Sequence, residues 1–135
     1  MGVEVVNPDG IYKPTTYFQA SVSSGTKIIS LAGQVAVDRM GKLVGAGDLT
    51  AQTEQAYRNV HLALRNLGAS FSDIARLTVY VVDWSPAKME LLLSGAVKAS
   101  EDLEFDYRRP VTLVGVTGLA DAGWLVEVEA LAVIS

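Results

Sequence analysis

The sequence contains no cysteine. That excludes a disulfide scaffold, a thiolate nucleophile and any cysteine-ligated metal. It has one histidine, His61, so a histidine-cluster metal site cannot be built within one chain. No stretch approaches ~18 consecutive apolar residues, and no membrane-spanning helix is expected. A surplus of positive charge is also missing: 11 Lys and Arg stand against 15 Asp and Glu. Duplex nucleic acid needs a concentrated cationic surface, so it is not an expected partner. The opening residues Met1-Gly2-Val3-Glu4 have no basic segment leading into an apolar run. A secretory signal is therefore not expected, and the protein is read as cytoplasmic. There is no Walker loop, no dinucleotide glycine fingerprint and no metal-ligand spacing, so neither metal nor cofactor is expected.

The composition is that of a folded domain. Of 135 residues, 50% are hydrophobic and 19% charged. Residues 1–135 make one domain that buries about two-thirds of its unfolded surface, leaving roughly 6,800 Å² exposed. The mean hydropathy of +0.28 is high for a chain this short. Part of the surface is expected to meet copies of itself.

The pattern along the chain predicts an α+β layer. The first 15 residues, with Pro8, Gly10 and Pro14, read as an irregular lead-in. Tyr17–Ser23 and Lys27–Ala32 read as strands joined by a hairpin at Ser24-Gly25, with Val35–Val37 continuing the extended chain. A helix begins at a Thr50 cap and stops at Gly68, with an apolar stripe of Ala56, Val60, Ala63, Leu64 and Leu67. Ile74–Val82 is β-branched and reads as a buried strand. Ser85-Pro86 announces a second helix with Met89, Leu92, Leu93, Ala96 and Val97 on one side. Glu101–Arg109 reads as irregular, and Val111–Val116 and Trp124–Val133 as the last strands. One mostly antiparallel sheet with two helices on one face follows. The last strand is apolar on both sides near Leu131-Ala132-Val133, so the sheet's other face should also be covered.

Few residues point to chemistry. His61 lies between Arg58 and Arg65 on the polar helix face and reads as solvated. Glu127 and Glu129 alternate in a strand and must share a face, where a carboxylate can orient water; a merely solvated strand face fits the same pattern. Arg108-Arg109 could bind a carboxylate or phosphate, or simply close a loop. Gly33-Gln34 could offer a backbone N–H to an anion.

Several motifs in order resemble the RidA family, also called YjgF-type or endoribonuclease L-PSP proteins. They are Ile28-Ile29 with Ala32-Gly33-Gln34, Ala51-Gln52-Thr53, Leu67-Gly68-Ala69-Ser70, Leu77–Asp83, Arg109-Pro110 and Val126–Val133. The resemblance implies a chorismate-mutase-like subunit in a homotrimer, with sheets forming a central barrel and ligand clefts between subunits. It implies hydrolysis of enamines and imines to a 2-oxo acid and ammonia, without metal or cofactor. Tyr17, Gly33 and Glu127 match the family's cleft positions, and a backbone carbonyl near Val114 would assist. The deaminases carry Arg-Pro-x-Arg, whose second arginine holds the substrate carboxylate. Here the run is Arg109-Pro110-Val111-Thr112, and Ala32 replaces a frequent serine. The side chain of Arg108 would have to cover about 13 Å along the strand to replace that arginine.

The expected function is therefore a homotrimer binding a small molecule in its inter-subunit clefts through Tyr17, Gly33, Thr112 and Val114. If it is an enzyme, it is a metal-free hydrolase in which Glu127 orients water. Its ligand should be less acidic than a 2-imino acid, because Thr112 carries no charge. The alternative is a binding or regulatory trimer that has kept the fold and lost the chemistry. A ribonuclease is opposed by the acidic balance and the lack of a basic aromatic patch.

Overall fold

The computed structural model describes residues 2–135. Strands β1 (Val3–Val6) and β2 (Ala20–Ser23) form a small antiparallel sheet. The main sheet contains β3 (Lys27–Ser30), β4 (Ile74–Val82), β5 (Val111–Val116) and β6 (Val126–Ile134), in the order β3-β6-β4-β5. Its pairings are antiparallel except β4 with β5, which is parallel. Helices α1 (Leu49–Asn66) and α2 (Met89–Leu103) cover one face.

Strand alternation explains which face is covered. Val126, Val128, Ala130 and Ala132 of β6 and Leu77, Val79 and Val81 of β4 point under the helices and are buried. The intervening residues point the other way, where no helix lies. That open face is part apolar: Ile28 is 71% exposed and Leu131 39%. The chain exposes 7463 Å² in all, more than the ~6,800 Å² usual at this mass.

The hairpin expected at Ser24-Gly25 does not form. β2 pairs with β1, inside the segment expected to be irregular, and β3 pairs with β6. Gly25 instead hands the chain from one sheet to the other. It passes so close to β6 that a Cβ would lie 2.5 Å from the Ile134 carbonyl oxygen. Val35–Val37 is not a strand either. Asn59 of α1 donates to the carbonyls of Val35 and Val37 at 3.0 and 2.9 Å and holds them as a loop.

Both helices start or end away from their expected limits. Asp48, not Thr50, caps α1, its carboxylate accepting from the Ala51 N–H at 3.0 Å. The Thr50 hydroxyl donates instead to the Leu91 carbonyl of α2 at 2.9 Å. The helices meet there because Gly95 lets them touch; a Cβ on it would lie 2.5 Å from the Thr50 carbonyl oxygen. The buried face of α1 is Leu49, Gln52, Thr53, Ala56, Tyr57, Val60 and Leu64, while Leu67 is exposed. α2 follows a short turn at Pro86–Lys88 and runs through Leu103, into the stretch expected to be irregular.

Gln52 is fully buried. Its amide donates to the carbonyls of Gly45 and Gly123, each at 3.1 Å, and accepts from the Leu125 N–H at 2.9 Å. One side chain thus satisfies two loops and fixes the entry into β6, the strand that carries Glu127.

Candidate active site

Strand register sorts the open face into rows. Val114, Tyr80 and Glu127 form one row across β5, β4 and β6; Thr112, Thr78 and Glu129 form the next. Glu127 and Glu129 do share a face, as their alternation requires.

Glu127 lies against Gly33. From Ser30 to Gln34 there are four residues, but their partners, Leu131 and Val128, are three apart. The extra residue makes a bulge at Ala32-Gly33 that brings the Gly33 backbone over the Glu127 side chain. A Cβ on Gly33 would lie 2.5 Å from Cδ and 2.6 Å from Cγ of Glu127. Glycine is needed here for close approach. The Gln34 N–H is taken by the Val128 carbonyl at 2.7 Å, so it offers no anion site. Among the described residues the Glu127 carboxylate has no hydrogen-bond or ion-pair partner.

Glu129 is engaged. The Tyr80 hydroxyl donates to its Oε1 at 2.6 Å. That hydrogen bond raises the Tyr80 pKa above its ordinary value, so the phenol keeps its proton.

Thr112 is where the sequence departs from the deaminases, yet its position is not without positive charge. Arg76 on β4 reaches across to β5 and donates from Nη2 to the Thr112 Oγ1 at 2.8 Å. Arg76 forms no ion pair among the described residues. A groove of about 250 Å³ beside it is lined by Ser30, Arg76, Thr78, Glu129 and Leu131.

The arginines considered from the sequence are occupied. Arg108 makes two bonds to the Asp106 carboxylate, at 3.0 and 2.7 Å, and lies over the Phe18 ring. That pairing holds the Asp106 carboxyl below its ordinary pKa. Arg109 is buried and donates to the Ile74 and Ser72 carbonyls, closing the loop onto the start of β4; burial lowers its pKa.

Tyr17 is not brought to Glu127 within the chain. It lines a pocket of about 260 Å³ on the helix side of the sheet, with Tyr57, Leu92, Tyr107, Val111 and Leu113. His61 is not freely solvated. Its ring stacks on Phe105 at 5.2 Å and its buried Nδ1 has no hydrogen-bond partner among the described residues. Burial, then the nearby Arg65, lowers its pKa. Among the described residues no cluster of His, Asp and Glu could hold a metal ion, and no helix is long and apolar enough to cross a membrane.

Residues 11–134 match the family model described as Endoribonuclease L-PSP. The chain is a member of the YjgF/RidA family. A RutC family protein of Pyrococcus abyssi is 30% identical over 95 residues, 70% of this chain and 74% of that protein. The 3-aminoacrylate deaminase RutC of Acinetobacter baylyi is 23% identical over 98% of both chains. The Rid-family protein YyfB of Yersinia pestis has a crystal structure that matches with a TM-score of 0.86 at 35% identity, covering 99% of this chain and 100% of that one. The two helices on a mixed sheet are thus the chorismate-mutase-like fold of the RidA family.

Three roles escaped the sequence reading: Gln52 as a buried clamp, Tyr80 as the partner of Glu129, and Arg76 as the partner of Thr112. Parity along Arg76-Leu77-Thr78-Val79-Tyr80 places Arg76 and Tyr80 on one face. Which face, and which strand lies beside it, depends on register between distant segments.

Proposed function

We propose that this protein is a homotrimeric, cytoplasmic deaminase of the RidA type, hydrolysing a small enamine or imine on the open sheet face, in clefts closed by a neighbouring subunit. The observation that carries this reading is the Glu127 carboxylate, laid against Gly33 on that face with no hydrogen-bond or ion-pair partner among the described residues. A half-buried carboxylate in such a position accepts a proton from water. As the water oxygen bonds to the C=N carbon, Glu127 takes one of its protons and passes it to the nitrogen, leaving a carbinolamine. Glu127 then carries the hydroxyl proton to the nitrogen as the C–N bond breaks, so that ammonia leaves, a carbonyl remains and the carboxylate is restored. The Gly33 N–H and the Thr112 hydroxyl orient the substrate, and a carbonyl near Val114 steadies the water. Tyr17, beside the start of the edge strand β5, serves a neighbour's cleft. The part-apolar open face supports the trimer. A deaminase among the relatives supports the reaction class.

The test generates imines in place with an amino-acid oxidase and follows their loss. Wild type should exceed the buffer blank, and Glu127→Gln should lose roughly 100-fold or more, the usual scale for a general base. Wild-type rates at the blank for acidic and neutral imines alike would contradict the proposal.

A further inference from the structure

The substitution of threonine for arginine in β5 removes a charge from one strand, and the neighbouring strand returns it. We infer that Arg76, steered by Thr112, is the anion-recognising residue of the open face, and that the substrate carries a carboxylate. The inference rests on reading that face as the reaction site.

Two observations combine with the chemistry of the two side chains. Arg76 belongs to β4, which lies between β5 and β6, so its side chain rises from an inner strand, near one end of the face. One Nη2–H is fixed on the Thr112 hydroxyl. A guanidinium has five N–H donors in a planar fork, and a neutral hydroxyl occupies one of them. The fork is thus oriented without being neutralised. The threonine oxygen, having accepted from Arg76, still has its own proton to donate. Together they present several donors to one anion.

The other charges near this face leave Arg76 available. Glu129 lines the same groove and keeps its charge, but its Oε1 accepts from Tyr80 and it forms no ion pair with Arg76 among the described residues. Glu127 is one row further along than Thr112 and two strands away from it. With strands about 4.8 Å apart and a rise of about 3.3 Å per residue, the Thr112 and Glu127 backbones are roughly 12 Å apart. That span admits a small molecule with a carboxylate at the Arg76 end and an imine carbon near Glu127. Opposite charges at the two ends fix which way the molecule lies. The two arginines before this strand are engaged, Arg108 by the Asp106 carboxylate and Arg109 by the Ile74 and Ser72 carbonyls.

The experiment measures binding of 2-oxobutanoate and of its methyl ester by NMR titration, alongside imine hydrolysis. It compares wild type with Arg76→Met, Arg76→Lys, Arg108→Met and the pair Arg76→Met with Thr112→Arg. Wild type should prefer the acid to the ester. Arg76→Met should weaken acid binding about 10- to 100-fold, the scale of a charged hydrogen-bond pair. Arg76→Lys should fall between, because an ammonium keeps the charge and loses the fork. Arg108→Met should bind as wild type does, and the paired substitution should recover acid binding. Acid binding by Arg76→Met equal to wild type, or its loss in Arg108→Met, would overturn the inference. Imine hydrolysis that is indifferent to Arg76 would overturn it while leaving the deaminase intact. Carboxylate binding that depends on Arg76 without any imine hydrolysis would sustain it and remove the deaminase.

Discussion

Gly33→Ala separates the site from the fold. Gly33 is not among the positive-φ glycines, so alanine meets no backbone strain there. The new methyl would instead sit 2.5 Å from Cδ and 2.6 Å from Cγ of Glu127. Carbon atoms pack at about 3.5–4.0 Å, so the carboxylate must retreat by about 1 Å or more. Glu127 is only half-buried and has room to turn outward. Restricting the unfolded chain stabilises by roughly 0.4–1 kcal/mol, which offsets much of the cost of that rotation. The net change in stability should stay within about 1 kcal/mol, a few degrees in Tm. Catalysis has no such slack, since a displacement of about 1 Å at a reacting group costs on the order of 100-fold. Thermal melting and the coupled imine assay on the same preparation provide both readings. The reasoning fails if Gly33→Ala turns over at the wild-type rate. It fails equally if the protein loses ten degrees or more in Tm, because Glu127 would then be a locked structural group.

The other predictions concern stability and assembly. The folded state holds His61 less basic than its ordinary pKa of 6.5, so the unfolded chain takes up that proton first. Stability should drop as pH falls below about 6.5, and less steeply in His61→Gln; identical urea midpoints against pH for both proteins would refute this. Gln52→Leu strands the Gly45 and Gly123 carbonyls and the Leu125 N–H, and should cost on the order of 2–4 kcal/mol in urea unfolding. A cost below about 0.5 kcal/mol would show that water replaces the clamp. The mass in solution should be three times 14.4 kDa; a stable monomer at micromolar concentration would remove the inter-subunit cleft.

Much of the fold was legible because it rests on local pattern. The β-branched run at Ile74–Val82, the apolar spacing before Gly68 and the alternation at Leu125–Glu129 each mark an element that forms, the last strand running Val126–Ile134 where Trp124–Val133 was expected. The hairpin failed because turn residues at Ser24-Gly25 do not say which strands they join. Val3–Val6 and Ile134 decided that from the far ends of the chain. The Thr50 cap failed because two capping side chains lie two residues apart, and packing on α2 claimed the second. The site was legible where it is written in single strands. Glu127 and Glu129 share a face by parity alone; the close approach of Gly33 to Glu127 was not legible, because it depends on a bulge against β6. The Arg76–Thr112 pair was hidden because it joins residues 36 apart through a parallel register, which one strand's pattern does not reveal.

A crystal structure of the protein with 2-oxobutanoate tests the central claim most directly. The account predicts three subunits around an axis with their open sheet faces inward. The carboxylate should lie on Arg76 and Thr112, with the oxo carbon towards Glu127 and a neighbouring subunit closing the cleft. Ligand bound instead in the pocket between α2 and β5, beside its own chain's Tyr17, with the Glu127 face bare to solvent, would contradict it.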